Sequence, residues 1–175
     1  MTADAMGTKG WLFDVNKCTG CHACEVACAT WNDTGAISWR RIVKIEAGSY
    51  PNVTTRNLSM PCLHCDNAPC MQSCPVAAIG KAADGVVSVN QAACVGCMLC
   101  FWACPFGVPT FGTEGKMSKC TYCGDRPAEL PRACEEVCPT KAILSGDMIE
   151  LERQAALQGG ERVGGPAGPA LFIIR

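Results

Sequence analysis

The cysteines constrain this chain more than anything else in it. Sixteen of its 175 residues are cysteine, and they fall into four groups of four with none left over. The first group is Cys18, Cys21, Cys24 and Cys28, spaced C-x2-C-x2-C-x3-C. The second is Cys62, Cys65, Cys70 and Cys74, spaced C-x2-C-x4-C-x3-C and followed by Pro75. Cys94, Cys97, Cys100 and Cys104 repeat the first spacing and are followed by Pro105. Cys120, Cys123, Cys134 and Cys138 are spaced C-x2-C-x10-C-x3-C and followed by Pro139. The arithmetic points to thiols used four at a time.

A cubane [4Fe-4S] cluster takes one thiolate on each iron. Three thiolates separated by two residues each curl around one cluster as a single loop. The fourth, three residues further on, points away along the next element, and in two-cluster ferredoxins it ligates the other cluster. Proline after it ends the loop and fixes φ for the turn. The run CVGCMLCFWACP from Cys94 fits the bacterial ferredoxin pattern completely, and CTGCHACEVACA from Cys18 shares its spacing with Ala29 in place of proline.

Three other uses of cysteine compete. Eight disulfides suit a small secreted scaffold, but no apolar h-region or cleavage site is visible in MTADAMGTKGWLFD, and the only adjacent arginines, Arg40 and Arg41, lie well inside the chain. The expected compartment is the cytoplasm, where thiols stay reduced. Zinc suits paired C-x2-C motifs, but three cysteines in one C-x2-C-x2-C run suit a cubane better, and only two histidines are present. The C-x3-C-x2-C triplet of a radical SAM enzyme does not occur. No apolar run approaches the roughly 18–20 residues of a membrane span.

Composition supports a fold held by ligands. The hydrophobic fraction is 49% with the cysteines and about 40% without them, and aromatics supply 6%, which is thin for a core of this size. The net charge of −1 gives no surplus for binding nucleic acid. Four 2+ cores on sixteen thiolates add about −8 to it. Lys9, Lys17, Arg40, Arg41, Lys44, Lys116, Lys119, Arg126, Arg132 and Lys141 lie near the cysteine groups, as partial offsets or as ordinary solvated residues. His22 and His64 sit inside cysteine groups, where a hydrogen bond to sulfur or plain packing is favoured over ligation. Phe101, Trp102 and Phe106 read as core that shields a cluster from water. The glycine-rich stretches are turns, with no phosphate-binding loop.

The repetition extends beyond cysteine. VAAI follows Pro75 and TKAI follows Pro139; Val86, Val87 and Val89 follow the turn Asp84-Gly85, and Met148 and Ile149 follow Gly146-Asp147. Each reads as a strand, a turn and a second strand, the half-repeat of a ferredoxin. Residues 147–158 also read as a short helix capped by Asp147. Residues 159–169 read as an irregular tail, and the terminal ALFIIR as a strand, either against Trp11–Asp14 or added to a partner's sheet.

At this point the sequence resembles the four-cluster electron-transfer subunits of molybdenum and tungsten oxidoreductases of the dimethyl sulfoxide reductase type. MPCLHCDNAPCMQSCP from Met60, CVGCMLCFWACPFGVP from Cys94 and the opening WLFDVNKCTGCHACEVAC carry the resemblance, which covers roughly residues 10–150. It implies an α+β fold of two ferredoxin-like units, each a β-hairpin with short helices. Residues 1–58 with 116–158 form one unit, 59–115 an inserted second unit, and 159–175 a tail. It also implies exchanged fourth cysteines. Cys18, Cys21, Cys24 and Cys138 hold one cluster, and Cys120, Cys123, Cys134 and Cys28 the next. Cys62, Cys65, Cys70 and Cys104 hold a third, and Cys94, Cys97, Cys100 and Cys74 a fourth. Relatives with a [3Fe-4S] cluster replace a cysteine of the third group; here Cys94, Cys97 and Cys100 are all present, which implies four [4Fe-4S] clusters.

The implied function is electron relay with no catalytic residue in this chain. The implied partners are a catalytic tungsten- or molybdenum-pterin subunit and a second redox subunit. Two subfamilies differ in that second partner. One uses a membrane quinol anchor; the other is the polyferredoxin subunit of bacterial tungsten aldehyde oxidoreductases, which works with an FAD subunit that uses NAD. Eleven residues separate Cys104 from Lys116, and this brevity tilts the reading to the second. The family also admits stacking of copies into a longer wire. A free ferredoxin and a zinc-binding interaction module are the competing classes.

Overall fold

The computed structural model describes residues 7–175. The elements between the cysteine groups are mostly short, and the nine-residue strands Arg41–Ser49 and Asn52–Met60 form where no cysteine interrupts. β1 (Lys9–Asp14) leads to α1 (Ala23–Asn32) and to a hairpin of β2 (Arg41–Ser49) and β3 (Asn52–Met60). The middle holds α2 (Pro69–Gln72), β4 (Ile79–Lys81), β5 (Val87–Val89), α3 (Leu99–Ala103), β6 (Thr110–Phe111) and β7 (Met117–Ser118). The last third holds α4 (Ala133–Glu136), β8 (Ile143–Asp147), α5 (Met148–Leu157), β9 (Glu161–Arg162) and β10 (Leu171–Ile174). Among the described residues no helix is long and apolar enough to cross a membrane.

One sheet organises the two ends of the sequence, with strand order β8-β1-β10-β9. β1 runs antiparallel to β8, with Leu12 opposite Leu144, and parallel to β10, with Leu12 opposite Phe172. Because side chains alternate across a strand, its two faces serve two cores. Leu12, Phe172 and Ile174 pack on Met148, Leu151 and Ala155 of α5. Trp11, Phe13, Leu171 and Ile173 turn the other way, onto a core that contains Cys24, Cys62, Cys120, Cys134 and Cys138. The terminal apolar run thus pairs with Trp11–Asp14, as one of its two sequence readings held, and it sits inside the sheet because β9 covers its outer side.

The two half-repeats differ. In the middle of the chain β4 and β5 form the expected hairpin, closed at Asp84-Gly85 with Gly85 at φ +83°. After the fourth group β8 forms, but Met148 and Ile149 are not its partner strand. They open α5, because Met148, Leu151 and Ala155 recur at helical spacing and the Asp147 carboxylate accepts the Ile149 N–H at 2.9 Å. β1, from the far end of the sequence, supplies the partner instead.

The tail is irregular over most of its length, yet it is tied down. Gly168 O accepts from Asp66 N at 2.8 Å, Ala167 O accepts from Asn67 N at 3.0 Å, and Ala170 N donates to Leu63 O at 2.9 Å. Arg162 adds an ion pair to Asp66 at 2.6 Å. Residues 159–170 therefore lie along the loop that carries Cys62 and Cys65.

Candidate metal centres

The backbone of the cysteine loops is built for close curvature. The residue before the second cysteine of each group has positive φ: Gly20 at 71°, His64 at 43°, Gly96 at 70° and Tyr122 at 60°. In the two C-x2-C-x2-C groups the next residue after that cysteine, His22 or Met98, is also left-handed, at 61° and 63°. Ala77 and Lys141, three residues past Cys74 and Cys138, match at 48° and 53°. Non-glycine residues rarely adopt this conformation. Its recurrence at equivalent positions shows a turn imposed by what the sulfurs must face.

Three small cavities are each lined by four cysteines. Cys18, Cys21, Cys24 and Cys138 line one, with Ile42 and Ile143 in its wall. Cys62, Cys65, Cys70 and Cys104 line the second, with Leu63, Val87 and Phe106. Cys74, Cys94, Cys97 and Cys100 line the third, with Ile79, Phe111 and Met117. The remaining four, Cys28, Cys120, Cys123 and Cys134, are all buried. They lie within electrostatic reach of one another: Cys134 and Cys123 both act on Cys28, and Cys134 acts on Cys120. Among the described residues no group of three His, Cys, Asp or Glu side chains is drawn together as a single metal ion requires; the thiols stand around cavities.

Burial makes several of these thiols hard to ionise. It pushes Cys28 up to about 12, with Arg40 opposing and Cys134 and Cys123 adding to the rise. Burial together with Cys62, Cys104 and Cys70 pushes Cys65 up to about 12. Cys70 rises to about 11 for burial and Cys62, with Lys119 opposing. Cys120 rises further, again through burial against Arg40. Cys138 goes the other way: burial raises it, but hydrogen bonds from Thr140 and from the amides of Ala142, Thr140 and Ile143 outweigh this and lower it. Buried thiols held neutral in this way suit iron, which displaces their protons and supplies the counter-charge.

Donors to sulfur come from sources that spacing does not reveal. Ala78 N donates to Cys74 Sγ at 3.2 Å and Ala142 N to Cys138 Sγ at 3.3 Å, an equivalent pair four residues past each cysteine. Met117 N reaches Cys94 Sγ at 3.4 Å and Tyr122 N reaches Cys120 Sγ at 3.4 Å. Side chains add Ser59 to Cys24 at 3.3 Å, Asn32 to Cys28 at 3.7 Å and Thr140 to Cys138 at 3.7 Å. Nothing in the sequence singles out Ser59, Asn32 or Thr140. Such donors offset sulfur charge and tune a bound cluster.

The histidines take neither role toward sulfur. His22 faces solvent and pairs with Glu25 at 3.0 Å. His64 is buried, and its Nδ1 accepts the Val87 N–H at 3.0 Å while its ring edge meets Tyr122; burial, with Lys119 beside it, holds its pKa well below the usual value. Phe106 does line a thiol cavity, but Trp102 is 81% exposed and Phe101 40% exposed. The shielding expected of that pair is corrected: α3 turns Cys100 inward, so Trp102, two residues on, faces outward. Of the ten basic residues near the groups, Arg40, Lys119 and Arg126 are buried.

Comparison with known proteins agrees with this chemistry. A 4Fe-4S dicluster domain model matches residues 53–148, over half the chain, and a second 4Fe-4S dicluster domain model matches residues 17–78. An anaerobic dimethyl sulfoxide reductase chain from Escherichia coli (strain K12) is 38% identical over 156 aligned positions, gaps included, that cover 83% of this chain and 76% of that one. A sulfite dehydrogenase subunit from Allochromatium vinosum is 35% identical over 178 such positions that cover 87% of this chain and 74% of that one. The formate dehydrogenase iron-sulfur subunit of Wolinella succinogenes is 35% identical over 159 positions that cover 77% and 78%. Two dicluster matches and sixteen cysteines amount to four [4Fe-4S] clusters. Thiols gathered by fours and relatives matched over most of their length agree on one assignment: this protein belongs to the 4Fe-4S dicluster family, among the iron–sulfur electron-transfer subunits of molybdenum oxidoreductases.

Proposed function

We propose that this chain relays electrons one at a time between a catalytic metal-pterin subunit and a second redox partner. The relay runs through clusters held by Cys18/Cys21/Cys24/Cys138, Cys120/Cys123/Cys134/Cys28, Cys62/Cys65/Cys70/Cys104 and Cys94/Cys97/Cys100/Cys74. The observation that carries this reading is that three of these quartets each line one cavity. The same sets support a nested organisation, residues 59–115 between 1–58 and 116–158. α1 packs on α4 and α2 on α3, as exchanged fourth cysteines require.

The quartets also suggest an order. Cys24 acts electrostatically on Cys28, and Cys62 on Cys120. Cys70 lies in α2 and Cys74 just past its end, and Cys100 lies in α3 with Cys104 at its C-cap, which joins the third and fourth sets. In this reading the four sets form a series, and the two exposed cysteines, Cys21 and Cys97, belong to its two end sets. When bound, the clusters supply the one-electron chemistry. The residues of this chain hold the sulfurs in apolar walls, direct amides and hydroxyls at them, and leave the two ends open to partners.

For the partners, we favour a cytoplasmic tungsten aldehyde oxidoreductase with an FAD subunit that uses NAD. The eleven-residue link from Cys104 to Lys116 supports it, and in this reading copies can also stack end to end into a longer wire. A molybdenum enzyme of the dimethyl sulfoxide reductase type with a membrane quinol anchor is the second reading, which the names of the relatives favour. Elemental analysis decides between them, on the complex purified anoxically through a tag on this chain. About sixteen iron per chain with tungsten supports the first, and iron with molybdenum the second. Iron with neither, on a chain that elutes alone, marks a free ferredoxin. Cell fractionation of the same tagged chain tests the compartment.

A further inference from the structure

Arg40 is a buried cation without an acid. It is 2% exposed, and no carboxylate pairs with it among the described ion pairs. Its Nη1 donates to Ser59 Oγ at 2.8 Å, and Ser59 Oγ lies 3.3 Å from Cys24 Sγ. The guanidinium sits 4.7 Å over the Trp11 ring, and Nη2 is buried with no hydrogen-bond partner among the described residues. Lys119, the comparable buried cation, has carbonyl partners in Val87 and Cys120. A charge taken out of water needs a counter-charge. Trp11, the ring beneath the guanidinium, packs in one core with Cys24, Cys120 and Cys134, and the guanidinium charge reaches those three sulfurs and Cys28. They belong to two different quartets.

We propose that Arg40 is the shared counter-ion of two neighbouring clusters, those of Cys18/Cys21/Cys24/Cys138 and Cys28/Cys120/Cys123/Cys134, and holds both reduction potentials up together. The inference rests on the quartets proposed above. Reduction adds negative charge, which a buried cation stabilises, so its field raises a potential. Acting on two adjacent clusters at once, it leaves the step between them level and changes the step to the third.

The test is a redox titration followed by electron paramagnetic resonance on the anoxically purified complex. The two clusters are identified by the signals that Cys24→Ser and Cys28→Ser perturb. Arg40→Gln is expected to keep full iron and shift two of the four potentials downward, with the other two unmoved. Four unmoved potentials, or four that move alike, overturn the proposal and leave a packing role against Trp11. If Arg40→Gln loses iron, Arg40→Lys decides. Its compact charge cannot serve both sites alike, so at least one of the two potentials falls while the other two hold; four unmoved potentials again overturn the proposal. A wild-type chain with fewer than about sixteen iron would instead sink the quartets, which the iron reading alone reveals.

Discussion

Thr140 Oγ1 lies 3.7 Å from Cys138 Sγ, beside a sulfur that already accepts the Ala142 amide at 3.3 Å. On a ligating thiolate the hydroxyl donates and withdraws charge from the cluster. Thr140→Val keeps the shape and removes the donor. It is expected to lower one cluster potential by roughly 20–60 mV, the one-electron equivalent of about 0.5–1.5 kcal/mol. The redox titration that reads it also checks that the other three potentials stay in place.

The quartets make a second prediction. Cys24→Ser and Cys138→Ser lie in different groups, yet both are expected to disturb the same signal. Cys74→Ser and Cys100→Ser are expected to disturb another signal in common. Spectra in which either pair affects two different clusters contradict the exchange of fourth cysteines.

Much of this site is legible in the sequence. The four groups and the helix after Asp147 need only spacing and a capping residue, and the exchange of Cys28 with Cys138 is implied by the family resemblance. Less is legible where distance along the chain is large. That β1 replaces Met148-Ile149 as the partner of β8 is a long-range pairing, invisible to a local pattern. Ser59 and Asn32 are ordinary polar residues until the fold brings them to Cys24 and Cys28. Trp102 misleads for another reason, since an aromatic beside a ligand reads as core whichever way a five-residue helix turns it.

Gly96 tests the loop geometry. Left-handed φ alone is tolerated, since His64 and Tyr122 adopt it at equivalent positions. A Cβ on Gly96, however, would stand 2.5 Å from Gly115 O. Gly96→Ala is expected to push this loop from the Cys74, Cys94, Cys97 and Cys100 cavity and lose about a quarter of the iron, one cluster of four. Gly35→Ala is the control: it has φ +59° and open space around the added carbon. It is expected to cost about 1–2 kcal/mol of strain and keep full iron.

Leu151 separates scaffold from site. It is 2% exposed against the α5 face of the sheet, the side away from the thiols. Leu151→Ala is expected to destabilise the fold by about 2–5 kcal/mol. Thermal unfolding of the holo-protein reads the loss, and iron content and cluster potentials measured below the transition stay at wild-type values.

The sheet order has a consequence for how a nascent polypeptide grows competent. Of the strands in that sheet, β1 emerges from the ribosome first, and its two neighbours, β8 and β10, emerge more than a hundred residues later. Trp11, Leu12 and Phe13 therefore wait for their partners while all four cysteine groups are made. In the exchange proposed above, the two quartets that combine the first and fourth groups would wait as well, and the two middle quartets would be complete once Cys104 is out. The sheet therefore closes only at the end of synthesis, and a transcript truncated before codon 171 leaves β1 open on the side that Leu171–Ile174 would cover.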